Sequence, residues 1–348
     1  MGKIGFINTT KTWGGGEKWH FENALALLQK SYEVQIICYP KSELHSKCIK
    51  YKIPYLLFKA DKFSFLNPLK ISKANSILND FSTVILNSPL DLKLFASSKS
   101  KNTKVIYRRG SAIPIRNTPL NNKLIKNLDL IIANSEATKS TIFNSGISIE
   151  ENKITVLPNG INILPKQKAK PILETIILGN LGRAVEQKNQ LQLIDIAALL
   201  RDKGLDYKLI IGGDGTLFSS LKNKVKELEL ENFVELVGEV KSQESFYKKI
   251  NIFLLSSKWE GFGYVIAESF NYGKPVIAFD ISSNPELIKN NENGFLVKAF
   301  DSESFANKII ELSRDKKKIY ELGENAYSFI QEHRSFEKSI EKLTELIC

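Results

Sequence analysis

Short runs of β-branched and apolar residues alternate with amphipathic stretches along the whole chain. In the first half these runs read KIGFI, VQIICY, TVILN, KVIYR, LIIAN and KITVLP. A second series begins with TIILGNLG and continues with KLIIGG, FVELVG, IFLLSS and KPVIAF. Strands and helices that alternate at this spacing are typical of parallel sheets covered by helices on both faces. The sequence therefore predicts an α/β protein.

The interruption between the two series indicates two domains. It reads PNGINILPKQKAKPILE, and its three prolines and lysine run are typical of a linker. A chain of 348 residues also suits two domains of about 150–200 residues better than one core. We predict domains at 1–165 and 166–330 and an amphipathic C-terminal helix within 331–348. Two doubly wound domains that face each other would form a cleft, where ligands bind beyond the C-terminal strand ends.

Basic residues are concentrated in the first half of the chain. Residues 1–165 hold 23 Lys and Arg against 11 Asp and Glu, whereas the remainder holds 26 against 27. A basic half can attract nucleic acid, an anionic membrane or an acidic substrate, or it can be a solubilising lysine-rich surface. The sequence contains no aromatic–basic RNA motif, zinc finger or heptad run, so a nucleic-acid partner is not expected.

The distribution of apolar residues and cysteines indicates a cytoplasmic protein. No apolar run approaches the roughly 18 residues that a membrane-spanning helix needs. The N-terminus MGKIGFINTT enters a strand directly and does not resemble a secretory signal. Cys38, Cys48 and Cys348 are scattered without metal-ligand spacing, which suits a reducing compartment.

Glycine-rich and charged loops follow the first strand of each series. In TKTWGGGEKWH, Gly15 and Gly16 precede a helix whose N–H groups could approach an anion, although a flexible turn is the alternative. In GNLGRAVEQKNQ, Arg183 and Lys188 stand at the start of a helix, where cations oppose the helix dipole. This unfavourable placement favours binding of a diphosphate over an ordinary solvated helix start.

Two later loops also follow predicted strands. GGDGTLFSSLK contains glycines that permit close backbone approach, but it is also a common strand-to-helix turn. In WEGFGYVIAES, Glu260 lies in the loop, and Glu268 would lie in the second turn of a helix that begins near Gly263. Carboxylates accept hydrogen bonds from hydroxyl groups, so the two acids are predicted to contact different parts of one polyhydroxylated ligand.

Taken together, these stretches resemble the retaining glycosyltransferases of family 4, which have the GT-B fold of two facing Rossmann-like domains. The resemblance runs over nearly the whole chain, and its motifs are specific in their order and spacing. The matching stretches are GGGE (14–17), ANSEATKS (133–140), VLPNGI (156–161), GR (182–183) with KN (188–189), GGDG (212–215), LVG (236–238), EGFG (260–263) through Glu268, NYGKPVIAFD and NENGFLV.

The resemblance implies a role for each matching residue. Arg183 and Lys188 would hold the donor diphosphate in place of a metal ion, and Glu260 would bind hydroxyl groups of the donor sugar. Glu268 would bind the ribose, and the main chain at Glu239 and Val240 would contact the base. The further donor-binding positions are Gly15, Gly16, Gly182, Gly213, Gly261, Phe262 and Gly263. No metal and no other cofactor is implied, and the nucleotide sugar is a substrate.

The resemblance also implies how the reaction runs. An oxocarbenium-like state would form on one face of the sugar, and the leaving phosphate would take the proton of the acceptor. Charge stabilisation at that phosphate would be the main catalytic device. Replacing Arg183 or Lys188 by alanine is therefore expected to lower turnover far more than stability.

One position departs from the family pattern. Many relatives carry a histidine at a strand end of the first domain, where this chain reads VIYRRGSAIP. We predict that Arg109 points into the cleft and contacts the donor phosphate or an anionic acceptor. The alternative is that Arg108 and Arg109 are surface charges. A guanidinium is permanently charged and cannot act as a base. His20, in the first helix, is expected to pack or to lie on the surface.

The implied activity is transfer of a hexosyl group from a nucleotide sugar, with UDP favoured, to a glycan or lipid-linked acceptor. Such transfer would serve the synthesis of cell-surface polysaccharide or lipopolysaccharide. A nucleotide-sugar epimerase or hydrolase on a similar scaffold is one alternative, and a non-catalytic nucleotide or polyanion binder is another. The binder would not explain both Glu260 and Glu268.

The acceptor side is indicated by the basic first domain. The stretch KSELHSKCIKYKIPYLLFKADKFSF mixes five lysines, from Lys47 to Lys62, with aromatic residues. This composition suits peripheral contact with the anionic inner face of a membrane, although a protein-binding or merely solubilising surface would share it. In relatives with the GT-B fold the C-terminal helix often packs back on the first domain, and we expect the same here.

Overall fold

The computed structural model describes residues 2–98, 102–166, 171–172 and 174–347. Residues 167–170 and 173 of the predicted linker, and Cys348, lie outside the described residues. The chain divides into two compact units, one formed by Met1–Gly160 with Glu337–Cys348 and the other by Ile161–Phe336. Both units are parallel sheets covered by helices, so the predicted α/β class of two Rossmann-like domains is confirmed.

The first unit contains a parallel sheet with the strand order β3-β2-β1-β4-β5-β6-β7 among the described residues. Its strands are β1 (Ile4–Asn8), β2 (Val34–Cys38), β3 (Tyr55–Leu57), β4 (Thr83–Leu86), β5 (Lys104–Arg109), β6 (Leu130–Ala133) and β7 (Ile154–Val156). Its first helices are α1 (Gly15–Gln29), α2 (Glu43–Lys50), α3 (Pro68–Asn79), α4 (Pro89–Phe95), α5 (Pro119–Lys126) and α6 (Glu136–Phe143). All residues of β1 and β4 are buried, because helices cover both faces of the sheet.

The second unit repeats this arrangement with the strand order β10-β9-β8-β11-β12-β13 in the part of the chain that is described. Its strands are β8 (Ile176–Leu181), β9 (Tyr207–Gly212), β10 (Val234–Gly238), β11 (Ile252–Leu255), β12 (Val276–Phe279) and β13 (Gly294–Val297). Its helices are α7 (Gln190–Asp202), α8 (Phe218–Glu227), α9 (Gln243–Lys249), α10 (Tyr264–Asn271), α11 (Asn284–Leu287), α12 (Ser302–Ser313) and α13 (Lys316–His333).

Each sheet reverses its strand order beside its first strand, between β1 and β4 and between β8 and β11. In open parallel sheets the ligand crevice lies beyond the carboxyl ends of the strands at such a switch point. The loops that follow these four strands are therefore the best-placed positions for a ligand within each unit.

The chain enters and leaves the second unit at neighbouring points. The N–H of Ile161 donates to the carbonyl of Arg334 at 2.9 Å, and the N–H of Phe336 donates to the carbonyl of Ile161 at 2.9 Å. The second unit spans Ile161–Phe336, and the sequence predicts a second domain over 166–330. Within the predicted linker, the carbonyl of Leu164 accepts a hydrogen bond from the Tyr327 hydroxyl of α13 at 2.8 Å.

The last helix, α14 (Phe336–Ile347), belongs to the first unit from Glu337 onward. Its buried side chains Ile340, Leu343 and Ile347 join the core between α1 and the sheet. The Thr83 hydroxyl donates to the carbonyl of Ile347 at 3.1 Å. Among the described residues, no helix is both long enough and apolar enough to cross a membrane.

Candidate functional site

The second unit collects most of the predicted site residues at the carboxyl ends of adjacent strands. Gly182 and Arg183 follow β8, Gly213 follows β9, and the stretch 260–263 lies in the loop after β11. Because β8 lies between β9 and β11, these three loops are neighbours at one edge of the sheet. Glu239 and Val240 follow β10, the next strand beyond β9, where Glu239 is exposed and Val240 is partly buried.

Lys188 and Glu260 form a buried ion pair. The Nζ of Lys188 lies 2.7 Å from Oε1 of Glu260, and the two side chains are only 17% and 7% exposed. The Ser257 hydroxyl donates to the same Oε1 at 2.7 Å. Among the described residues, no donor contacts the second carboxylate oxygen, Oε2. The ion pair brings together Lys188, which the family resemblance assigns to the donor diphosphate, and Glu260, which it assigns to the donor sugar.

Further hydrogen bonds join the same two loops. The N–H of Lys258 donates to the carbonyl of Gln187 at 2.8 Å. The side-chain amide of Gln187 donates to the carbonyl of Trp259 at 3.0 Å. The loop after β8 and the loop after β11 are therefore held in one fixed arrangement around the ion pair.

Arg183 differs from Lys188 in its surroundings. Its side chain is exposed, and its guanidinium has no ion pair or hydrogen bond within the part of the chain that the structure describes. The loop that carries it is nevertheless fixed. The buried Gln190 side chain donates to Oδ1 of Asn180 at 2.8 Å and to the carbonyl of Gly182 at 3.1 Å. A guanidinium is permanently charged and can donate two parallel hydrogen bonds, so Arg183 on this fixed loop is suited to binding an anion.

Gly213 is required by the close approach of two loops. Its φ is +122°, and a Cβ atom at this position would lie 1.9 Å from the carbonyl oxygen of Gly182. Its N–H donates to the carbonyl of Gly238 at 2.6 Å, which joins the ends of β9 and β10. A side chain would therefore force the loop of Arg183 away from its position.

Glu268 lies in the second turn of α10, which begins directly after Gly263, as the sequence predicts. The hydroxyl of the fully buried Tyr247 lies 3.4 Å from Oε2 of Glu268 and 3.3 Å from the carbonyl of Val265, so its one proton is shared between these two acceptors. Burial, together with the nearby Glu268 charge, raises the pKa of Tyr247 well above its usual value, so the phenol stays protonated and remains a donor. Tyr247 also stacks on Tyr272, with 5.0 Å between ring centroids.

Tyr247 was not found by sequence reasoning. It lies on α9, and in the stretch SQESFYKKI it reads as one more apolar position of an amphipathic helix.

The backbone of Gly261, Phe262 and Gly263 is placed between the ion pair and α10, and all three residues are buried.

In the first unit the glycine loop packs against the end of β4. Gly15 is the first residue of α1, and a Cβ atom at Gly16 would lie 2.7 Å from Nδ2 of Asn87. The buried carboxylate of Glu17 accepts hydrogen bonds from the side-chain amides of Asn8 at 3.2 Å and Asn87 at 3.3 Å. Glu17 therefore ties the ends of β1 and β4 together.

A second buried carboxylate, Asp91, makes the same connection and was missed by sequence reasoning. It accepts hydrogen bonds from the N–H groups of Thr9 at 3.1 Å and Ser88 at 2.8 Å. Burial raises its pKa above the usual value, although these hydrogen bonds oppose the shift. The capping-box pattern in NSPLD is the signal that indicates this residue.

Arg109 is nearly buried at the end of β5, with an exposed fraction of 9%. Its guanidinium donates to the carbonyl of Ile113 and, over 3.4 Å, to the hydroxyl of Tyr107. The alternative that Arg108 and Arg109 are both surface charges is wrong. Contact between Arg109 and a donor or acceptor stays a prediction.

Arg108 and His20 belong to the packed interior of the first unit. The Arg108 guanidinium lies over the ring of Trp19, with 5.0 Å to its centroid, and donates to the side chain of Asn159 at 3.1 Å. His20 is fully buried, with Nδ1 3.1 Å from the carbonyl of Gly16. Burial and the Arg108 charge lower its pKa to about 3, so His20 is a neutral packing residue, as expected.

Comparisons with known proteins agree with this arrangement. Residues 13–163 match the family model for Glycosyltransferase Family 4, and residues 164–329 match that for Glycosyl transferases group 1. The N-acetylgalactosamine-N,N'-diacetylbacillosaminyl-diphospho-undecaprenol 4-alpha-N-acetylgalactosaminyltransferase of Campylobacter jejuni is 28% identical over 341 residues, which are 91% of this chain and 92% of the relative.

Two further proteins are similar to this chain, one in sequence and one in structure. The Escherichia coli UDP-Gal:alpha-D-GlcNAc-diphosphoundecaprenol alpha-1,3-galactosyltransferase is 28% identical over 266 residues, which are 72% of this chain and 66% of that protein. The crystal structure of Anabaena HepE in complex with UDP and glucose has a TM-score of 0.86 at 21% identity, and the alignment covers 99% of each chain. The chain therefore belongs to glycosyltransferase family 4 and has the GT-B fold.

Proposed function

We propose that this protein transfers a hexosyl group from a UDP-sugar to a glycan or lipid-linked acceptor, with retention of configuration, in the synthesis of a cell-surface polysaccharide. The observation that carries the proposal is the Lys188–Glu260 ion pair at the switch point of the second sheet, next to the exposed Arg183. Two relatives support the acceptor class, because their names specify acceptors linked to undecaprenol through a diphosphate. The HepE complex supports UDP, because that protein holds UDP and glucose on the same fold.

The ion pair is suited to hold both halves of a nucleotide sugar. The ammonium group of Lys188 has three donors, of which Glu260 takes one, so the others can bind phosphate oxygens. The Oε2 of Glu260 can accept a hydrogen bond from a sugar hydroxyl while Oε1 stays on Lys188 and Ser257. One buried pair would thus fix the sugar relative to its leaving group.

The chemical step requires stabilisation of the departing phosphate. Lys188 and Arg183 would neutralise the charge that develops there as the glycosidic bond breaks. In the retaining mechanism the acceptor approaches the same face, and a phosphate oxygen takes its proton. In this proposal side chains carry the positive charge, and neither a metal ion nor another cofactor takes part.

The nucleoside half is assigned to Glu268 and its neighbour Tyr247. Replacing Glu268 by alanine is expected to weaken UDP binding about 10–100-fold, because a charge-assisted hydrogen bond to ribose is lost. Replacing Tyr247 by phenylalanine is expected to weaken it about 3–10-fold, because the stack on Tyr272 persists and only the orienting donor is lost. Isothermal titration calorimetry measures both, and kcat at saturating donor should stay unchanged for Tyr247→Phe.

A positioning role for Tyr247 has its own control. The melting temperature of Tyr247→Phe without ligand reports the structural role of the phenol. If that temperature falls while UDP affinity equals that of the wild type, Tyr247 only supports the fold.

The proposed function predicts selective stabilisation by one nucleotide. A ligand at 100 times its dissociation constant adds about 2.7 kcal/mol, which moves the melting temperature by a few degrees. We expect UDP to stabilise the wild type more than GDP, ADP or CMP do, and to stabilise Glu268→Ala by about half as much or less. The assay is a thermal-shift measurement, followed by transfer from UDP-hexoses to undecaprenyl diphosphate-linked saccharides.

The same assays distinguish the alternatives. Greater stabilisation by another nucleotide than by UDP would overturn the UDP assignment. Consumption or conversion of the UDP-sugar without any acceptor would identify a hydrolase or an epimerase. Binding without turnover on any acceptor would favour a non-catalytic binder. NMR of the anomeric proton in the product tests retention, since an inverted anomer excludes the proposed mechanism.

A further inference from the structure

The first unit exposes large apolar side chains in one short stretch of chain. Phe63, Leu66 and Leu69 are 65%, 66% and 81% exposed. They follow one another at intervals of three residues, across the turn Ser64–Leu66 and into the first turn of α3. Single exposed apolar residues are common on protein surfaces, but three so close together indicate a surface that contacts an apolar partner. We call these three side chains the apolar trio.

The segment that carries the apolar trio is closed by its own hydrogen bonds. Lys70 binds the Asp61 carboxylate at 2.6 Å and the Ser64 hydroxyl at 2.7 Å. The N–H groups of Leu69 and Lys70 donate to the side chain of Asn67 at 3.0 and 3.2 Å, and the N–H of Leu66 donates to the carbonyl of Phe63 at 3.0 Å. These backbone groups keep their partners if the segment leaves water, which removes a large penalty for entering an apolar medium.

The charges around the apolar trio are almost entirely positive. Residues 47–73 contain seven lysines and one acid, Asp61, which is paired with Lys70. Lys59, Lys62 and Lys73 are exposed beside the trio. Apolar side chains surrounded by lysines match the surface of an anionic bilayer, where the acyl region receives the apolar groups and the head groups attract the ammonium groups. A second copy of the chain would present the same positive charge, which opposes association between copies.

We infer that the apolar trio inserts into an anionic lipid bilayer and that the surrounding lysines bind its head groups. The inference rests on the proposed function, because a lipid-linked acceptor lies at such a surface. It identifies the apolar trio as the part of the chain that contacts the lipid. It also specifies that the attraction between lysines and anionic head groups selects the membrane.

Vesicle flotation with the full chain tests the inference. Vesicles of phosphatidylcholine with about one quarter phosphatidylglycerol are compared with vesicles of phosphatidylcholine alone. The wild type is expected to float with the anionic vesicles only, and less so at high salt, because salt screens the lysines. The triple variant Phe63→Ser, Leu66→Ser, Leu69→Ser is expected to lose about 100-fold or more in partition coefficient, because three large apolar groups no longer leave water.

Two sets of variants make the test specific. A matched control replaces Leu120 and Phe300 by serine, since both are exposed apolar residues outside the trio, at 41% and 51%. It is expected to bind vesicles like the wild type. Charge reversal of Lys59, Lys62 and Lys73 to glutamate is expected to abolish the preference for anionic lipid while leaving the trio intact.

The outcomes separate this inference from the proposed function. Thermal stabilisation by UDP reports the second unit and should be unchanged in the triple variant. A wild type that responds to UDP but ignores anionic vesicles overturns the membrane inference alone. Equal vesicle binding by the triple variant also overturns it. So does light scattering that shows a wild-type dimer in the absence of lipid and a monomeric triple variant, since the trio would then be a self-association surface.

Discussion

Replacing Lys188 by methionine is expected to lower kcat about 10²–10³-fold and the free energy of unfolding by about 3–5 kcal/mol. The loss of kcat follows from the missing cation at the leaving phosphate. The loss of stability follows from Glu260, which is 7% exposed on its side chain and would keep only Ser257 as a partner. Steady-state turnover at saturating donor and urea denaturation measure the two effects.

A double variant separates the two roles of Lys188. Adding Glu260→Gln to Lys188→Met removes the unpaired buried charge, so most of the lost stability should return while turnover stays low. Recovery of turnover in the double variant would show that Lys188 only neutralises Glu260. Sequence reasoning alone expects a loss of turnover with little loss of stability, and the buried pair adds the second effect.

Replacing Arg183 by alanine is expected to lower kcat by a similar 10²–10³-fold, at roughly constant stability, within about 0.5 kcal/mol. The guanidinium is exposed and forms no ion pair among the described residues, so its removal leaves no buried partner behind. Arg183→Lys should retain more activity than Arg183→Ala, because it keeps the positive charge. It should remain less active than the wild type, because it loses the planar guanidinium.

The matched control for this variant is Arg314→Ala. Arg314 is an exposed arginine at the end of α12, in the same unit, and its loss should leave both kcat and stability unchanged. If Arg183→Ala unfolds as readily as Lys188→Met, the guanidinium has a structural role and the assignment to the phosphate is wrong.

Most strands and the loops that follow them could be predicted from the sequence because both are local signals, whereas the edge strands β3 and β13 were missed. A strand buried on both faces reads as a continuous apolar run, as KIGFI does at β1. A loop that must bring two backbones together requires glycine, as at Gly213. Both signals lie within a few residues of the element they specify.

The partners of the charged side chains could not be predicted in the same way. Lys188 and Glu260 are 72 residues apart and meet because β8 and β11 are neighbours in the sheet. The guanidinium of Arg109 donates to the carbonyl of Ile113, and this contact depends on the path of the loop that follows β5. The pairing of Ile161 with the distant Ser335 could not be predicted for the same reason.

The position of the last helix has a consequence for synthesis on the ribosome. Ile340 and Leu343 fill the same core cluster as Ile4 and Phe6, near the other end of the chain. The first unit therefore cannot complete this core cluster until α14 has emerged. The second unit is continuous from Ile161 to Phe336 and has all of its residues before that moment. We therefore expect the first unit to complete its core no earlier than the second, in contrast to the usual order, in which the N-terminal domain of a nascent chain folds first.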